Sequence, residues 1–234
     1  ISTQYIMTTL EELGLLKMDF LGLRTLTVIQ DTIDLVKANK GVQVEFDNDM
    51  NDPKVYKLWQ DGNSVGIFQF ESQGMTNFMK ELKPDCLEDI IAGVSLYRPG
   101  PMDQIPRYIR GKQNPGHNEY THPSLEPILN ITYGCMVYQE QVMQIVRDLA
   151  GYSLGRADLV RRAMGKKKLD VMAKEREVFI HGQVDEDGNI VVPGCVRNGI
   201  DEISANKIFD EMAEFAKYAF NKSHAACYAV VSYR

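Results

Sequence analysis

Between Arg156 and Lys168 the stretch "RADLVRRAMGKKK" sets six basic residues against one acid, Asp158, a local charge of +5. The whole chain carries -6, so the remainder carries -11. An overall charge of -6 argues against general nucleic-acid binding, but an isolated positive site on an acidic background suits an anionic ligand. Arg161 and Arg162 point about 100° apart on a helix and cannot share one narrow face. They can still flank one phosphate, whose oxygens suit the planar guanidinium fork. Plain solvated surface is the competing expectation. Asp158 stands three and four residues before the two arginines, the spacing of ion pairs within a helix. Lys166, Lys167 and Lys168 follow Gly165, where the helix should end; the helix dipole favours cations there without requiring three.

A second candidate is Asp19 in "LLKMDFLGLRTL". Leu16, Met18 and Phe20 alternate with Lys17 and Asp19, which puts the two charges on the face away from the core. A carboxylate on a strand just before a glycine turn can reach a hard cation such as Mg²⁺, although a cap or an ion pair with Lys17 or Arg24 is the simpler role. One aspartate does not make a two-metal site. The runs "DND" at 47–49 and "DED" at 185–187 read as turns. In "FNKSHAACY", Asn221, Lys222, Ser223 and His224 fall at a helix start, where free N–H groups bind phosphate or a capping box forms. Tyr228 lies one turn after His224, where it could touch a base or simply pack. Pro99 and Pro101 stiffen "YRPGPM" around Arg98, as a rigid turn or a helix terminator. Glu140 reads as a polar residue in the first turn of its helix rather than a catalytic acid.

These residues must be positioned by a mostly helical fold with a few short strands. A strand at 15–21 leads through Gly22 into a helix marked by Leu23, Leu26, Ile29, Ile33 and Val36, stopped by Gly41. Asp52 and Pro53 are the N-cap and first residue of a helix running to Gly62. "SVGIFQFES" alternates with period two and predicts a strand at 64–71. Met75, Phe78, Met79 and Leu82 mark one helix, and Leu87, Ile90, Ile91 and Val94 another. A polar loop spans 111–123. Helices follow at Gln139 to Ala150, after a Ser153 cap, and at Leu169 to Ile180. "VDEDGNIVV" predicts a hairpin turning at Asp187-Gly188. Residues 200–234 form two helices divided near "FNKSH", the second capped by Ser223.

The chain has 234 residues, 44% hydrophobic and 25% charged, ordinary globular usage with room for a sizeable core. Its four cysteines show no CxxC pair and no zinc-like spacing with the histidines, so free thiols in a reducing compartment are expected. No signal peptide or long apolar span is visible, which predicts a soluble, cytoplasmic protein with no membrane partner. Ile1 is not an initiator methionine, and "SHAACYAVVSYR" reads as a helix without a stop signal, so the sequence is expected to be a piece of something larger.

Six stretches in order, "GLLKMDFLGLRTLTVI", "VGIFQFES", "YRPGPM", "MVYQEQVMQI", "LVRRAMGKKK" and "FNKSHAACYAVVSYR", resemble the alpha subunits of bacterial DNA polymerase III, the C-family replicative polymerases, in their DnaE-type rather than PolC-type branch. The resemblance covers nearly the whole chain, least well at 42–52 and 112–124. It implies that residues 1–22 end the palm and residues 23–234 form most of the fingers. It also implies a DNA-directed DNA polymerase, a nucleotidyltransferase using two Mg²⁺ and three aspartates. Asp19 matches the third aspartate; the other two belong to an upstream strand that this sequence does not contain. Lys17 would then lie near the incoming triphosphate, with Arg161 and Arg162, and more weakly Lys166, gripping its phosphates. Asn221, Lys222, Ser223, His224 and Tyr228 would sit near the nascent base pair or DNA. Arg98 falls in a family motif without an assigned role. Implied partners are primer-template DNA, dNTPs and other replicase subunits, including the sliding clamp through regions outside this chain. The piece by itself is expected to be inactive. The alternative is a non-catalytic helical module that binds nucleic acid or protein through the basic helix 156–168.

Overall fold

The computed structural model describes residues 4–16, 18, 22–46, 48–165, 169–216 and 218–234. Lys17, Asp19 and Lys166 therefore lie outside the described residues, as do Lys167 and Lys168. The chain divides into two compact units, Ile1–Phe46 and Asp47–Arg234.

The first unit holds α1 (Met7–Glu12) and α2 (Arg24–Lys40). Gly41, at φ 64°, ends α2 as its left-handed C-cap. Leu23, Ile29, Ile33 and Val36 are half-buried along one side, the predicted stripe, while Leu26 is exposed. The strand expected at 15–21 is not formed at Leu15, Leu16 or Met18, and its other positions are undescribed. Strands exist by pairing, and the one sheet among the described residues lies elsewhere.

The second unit holds α3 (Pro53–Asp61), α4 (Gln73–Leu82), α5 (Leu87–Leu96), α6 (Ile105–Gln113), α7 (Glu126–Leu129), α8 (Gln139–Ala150), α9 (Leu154–Gly165), α10 (Leu169–His181), α11 (Glu202–Phe215) and α12 (Lys222–Tyr233). Strands β1 (Gln183–Val184) and β2 (Ile190–Val192) form the expected antiparallel hairpin. Gly188 turns it at φ 83°, and Asp185 accepts from Asn189 N at 2.7 Å. Asp52 caps α3 by accepting from Lys54 N at 2.8 Å, and Gly62 closes it.

The strand expected at 64–71 is absent. Gly66 and Gln69 take φ of 80° and 68°, and two turns bond Ile67 N to Ser64 O and Phe70 N to Ile67 O. Left-handed residues break the extended backbone that alternation assumes. Val65 is 94% exposed while Phe70 is fully buried, so the period-two pattern reflects isolated anchors rather than a sheet face.

Two apolar cores result. One gathers α3 to α6, the segment 135–138 and α12 around Trp59, Phe70, Phe78 and Tyr138. The other gathers α7 to α11 and β2 around Ile145, Phe179, Ile208 and Phe209. Each such side chain contributes about 1.5–3 kcal/mol of burial. Gln141 ties the cores together from the first turn of α8. It accepts from Val137 N and Tyr138 N at 2.8 and 3.0 Å and donates to Thr132 Oγ1 at 2.7 Å. Tyr138 also bridges to Phe220, with Gln139 N donating to Phe220 O at 2.9 Å. No helix among the described residues is long and apolar enough to cross a membrane.

Candidate functional site

Helix α9 starts at Ser153, whose hydroxyl accepts from Arg156 N at 3.3 Å, as the sequence predicts. Its inner face buries Ala157, Val160, Ala163 and Met164, which turns the arginines outward. They are not free. Arg161 Nε and Nη2 donate to Asp158 Oδ1 at 3.0 and 2.7 Å, and Arg162 Nε reaches Oδ2 at 2.8 Å. The intrahelical ion pairs that the spacing allowed are therefore formed. The hydrogen bond from Arg161 holds the Asp158 carboxyl below the usual carboxylate range. Both guanidiniums consequently converge on one carboxylate, with Arg161 19% and Arg162 64% exposed. Arg156 is engaged separately, donating to Gln183 at 2.6 Å, pairing with Glu175 and lying over Tyr152. A side chain on Gly165 would come within 3.3 Å of the Ala216 carbonyl, so the end of α9 abuts the connection from α11 to α12.

The start of α12 corrects one expectation. Asn221, not Ser223, is the N-cap: its Oδ1 accepts from His224 N at 2.9 Å. Glu140 completes the cap from α8, accepting from Asn221 Nδ2 at 2.9 Å and from Lys222 N at 3.1 Å. A carboxylate already takes the N–H that a phosphate would use, which weighs against phosphate binding at this helix end. Lys222 Nζ pairs with Glu88 at 3.0 Å above the Tyr138 ring. Nothing in the sequence near Glu140 marks it as the cap of a helix that starts more than eighty positions later.

Along α12, aromatic groups form a row. Arg98 stacks over Phe220 at 4.4 Å, which gives that arginine a contact the sequence did not specify. His224 lies 5.3 Å from Phe220 and 4.3 Å from Tyr228, and Tyr228 meets Phe68 at 5.1 Å. His224 and Tyr228 do share a face, as predicted. Phe68 and Phe220 were missed, because their part in the row depends on a turn and a connection that carry no periodicity.

Asp85, Cys86 and Asp89 offer ligand atoms within 4.8 Å of one another. Lys112 already fills that position. Its ammonium stands 2.9 Å from Asp85 and 2.5 Å from the buried Asp89, so a cation of the chain's own already serves the cluster. Burial opposes the charge on Lys112, but these hydrogen bonds outweigh it and raise its pKa.

Residues 25–187 match the profile of the bacterial DNA polymerase III alpha subunit finger domain. The chain belongs to this family. It is 51% identical over 99% of its length to DNA polymerase III subunit alpha of Thermus aquaticus, and 46% identical over 100% to that of Aquifex aeolicus. To the subunit of Staphylococcus aureus it is 44% identical over 99%. The chain covers 18%, 19% and 21% of these three relatives, so it spans about a fifth of their length. Within the finger-domain match lie Phe68, Arg98, α8 and all of α9; Phe220, His224 and Tyr228 and the positions of Lys17 and Asp19 fall outside it but inside the alignments to the relatives.

Proposed function

We propose that this chain is the nucleotide-binding fingers of a replicative DNA-directed DNA polymerase, gripping the incoming dNTP through α9 and facing the nascent base pair through α12. The supporting observation is the convergence of Arg161 and Arg162 on Asp158. A carboxylate presents two oxygens to guanidinium much as a phosphate does, so Asp158 holds both side chains in an anion-ready arrangement. A triphosphate carries more charge than one carboxylate and would compete for the same donors. The mostly exposed Arg162 is the one able to exchange partners at least cost. Phosphoryl transfer needs positioning and charge neutralisation more than covalent chemistry from the protein, and arginines suit that task.

Magnesium enters this reading through Asp19, whose motif assigns it to the metal-binding set; Lys17 would lie beside the triphosphate and Lys166 would extend the grip. Bound Mg²⁺ supplies neutralisation of the developing phosphate charge. Primer-template DNA is the second substrate. Contacts with other replicase subunits, the clamp among them, belong to regions outside this chain. The chain by itself is expected to extend no primer.

The test is steady-state kinetics in the full-length subunit. Arg161→Ala should raise KM for all four dNTPs alike, by roughly ten-fold or more, because phosphates carry no base identity. An effect on one nucleotide only would remove the phosphate role. Asp19→Asn should abolish nucleotide addition while primer-template binding persists; normal extension would sink the metal assignment. A helical module that binds through residues 156–168 without catalysis would instead bind long nucleic acid with a steep salt slope and ignore dNTPs.

A further inference from the structure

Apart from α9 and α12, a groove of about 550 Å³ opens between α6 and residues 114–120. Arg107, Arg110, Asn114, His117, Asn118 and Tyr133 line it. Gly111 lets α6 approach the opposite wall closely: a Cβ there would meet Tyr133 Cβ at 2.5 Å and Asn118 Oδ1 at 2.7 Å. Arg107 Nη2 donates to the Glu119 carbonyl at 2.9 Å, which fixes one wall and leaves the other N–H groups of the fork available.

These two arginines differ from those on α8, α9 and α10. Arg147, Arg156, Arg161, Arg162 and Arg176 each pair with a carboxylate. Among the described residues neither Arg107 nor Arg110 has one. Glu119 is the acid of the lining, so with the two arginines the groove carries a net +1. The position of Arg110 in the last turn of α6 explains why a cation is tolerated there, but not why a second arginine, a histidine and two asparagines surround the same space, Asn114 donating to the Arg110 carbonyl at 3.1 Å. A roomy, donor-rich concavity of this size is suited to an anion the size of a phosphate ester.

We propose that this groove is a phosphate site separate from Arg161 and Arg162, taking the oxygens of a nucleic-acid phosphodiester or of a free phosphate. It stands on the groove's own donors and does not depend on the nucleotide role of α9. The test follows the imidazole signals of His117 by NMR in the chain, assigned with His117→Asn, during titration with inorganic phosphate and with a twelve-nucleotide oligothymidylate. At least one probe should shift His117 saturably. Arg110→Ala should weaken that binding about ten-fold at unchanged far-UV circular dichroism, and Arg110→Lys should restore part of it. Saturation by phosphate alone assigns a free phosphate. A response to the oligonucleotide only, with a salt slope about one unit smaller in Arg110→Ala, assigns the backbone. No saturable shift with either probe, or full binding in Arg110→Ala, overturns the proposal. So does loss of the His117 shift in the Arg161→Ala/Arg162→Ala variant, which should affect nucleotide binding only.

Discussion

Asp89 shows how one residue can resemble a ligand and serve as a cornerstone. It is 1% exposed, accepts from Asp85 N at 3.0 Å and holds the Lys112 ammonium. Burial pushes its carboxyl up, against the pull of Lys112. Removing one member of a buried pair leaves the other charge uncompensated, which costs about 3–5 kcal/mol. Asp89→Asn should therefore lower the urea midpoint by an amount equivalent to about 3 kcal/mol at unchanged slope. Asp89→Asn combined with Lys112→Met should recover most of that loss. A cost below about 1 kcal/mol for the single variant would place the pair among ordinary surface bridges. Asp158 is the opposite case. Arg162 and part of the carboxylate stand open to solvent, which screens the pairs, so Asp158→Asn should scarcely alter stability while loosening Arg161 and Arg162.

At the scale of elements, the junction of α8 with α12 carries the most consequence. Asn221 and Glu140 together satisfy the first N–H groups of α12, and α12 packs against α5 in the core around Trp59. Asn221→Ala should cost about 1 kcal/mol in chemical unfolding, the usual worth of an N-cap, while Ser223→Ala should stay within about 0.5 kcal/mol. Equal costs would return the cap to Ser223. Capping chemistry was legible at Asp52, Ser153 and Gly41 because those signals act within one turn. The cap from Glu140 was not, since it joins residues far apart in sequence.

Across the molecule, several groups set one pH dependence. Burial pushes the Cys135 thiol up to about 11 and the Cys195 thiol to about 12, from 9.0. Lys112 is likewise raised above its ordinary 10.5. Each of these folded-state values lies above its unfolded one, so their contribution is complete below pH 9 and is lost as pH climbs through the raised values. Thermal unfolding should hold steady from neutral pH to about 9 and fall steeply beyond 10. Native-state alkylation followed by mass spectrometry should label the exposed Cys227 first and the fully buried Cys135 and Cys195 only on unfolding. Early labelling of Cys195 would mean that the α7–α11 core opens locally.

Most of the helices, the caps at Asp52 and Ser153 and the 183–192 hairpin followed from periodicity and turn chemistry, because those forces act between residues a few positions apart; α1, α6 and α7 did not, and the polar loop expected at 111–123 begins inside α6. The family was legible too, through six motifs in order. Three features needed the tertiary structure. Residues 64–71 alternate like a strand, yet turns at Gly66 and Gln69 remove the extended backbone. Arg161 and Arg162 look like free charges in the sequence, and only geometry shows both converging on Asp158. The row from Arg98 through Phe220, His224 and Tyr228 to Phe68 draws on three distant segments. Local sequence sets which elements form; which charges find partners is decided by packing, where burial and distance fix the cost of leaving one alone.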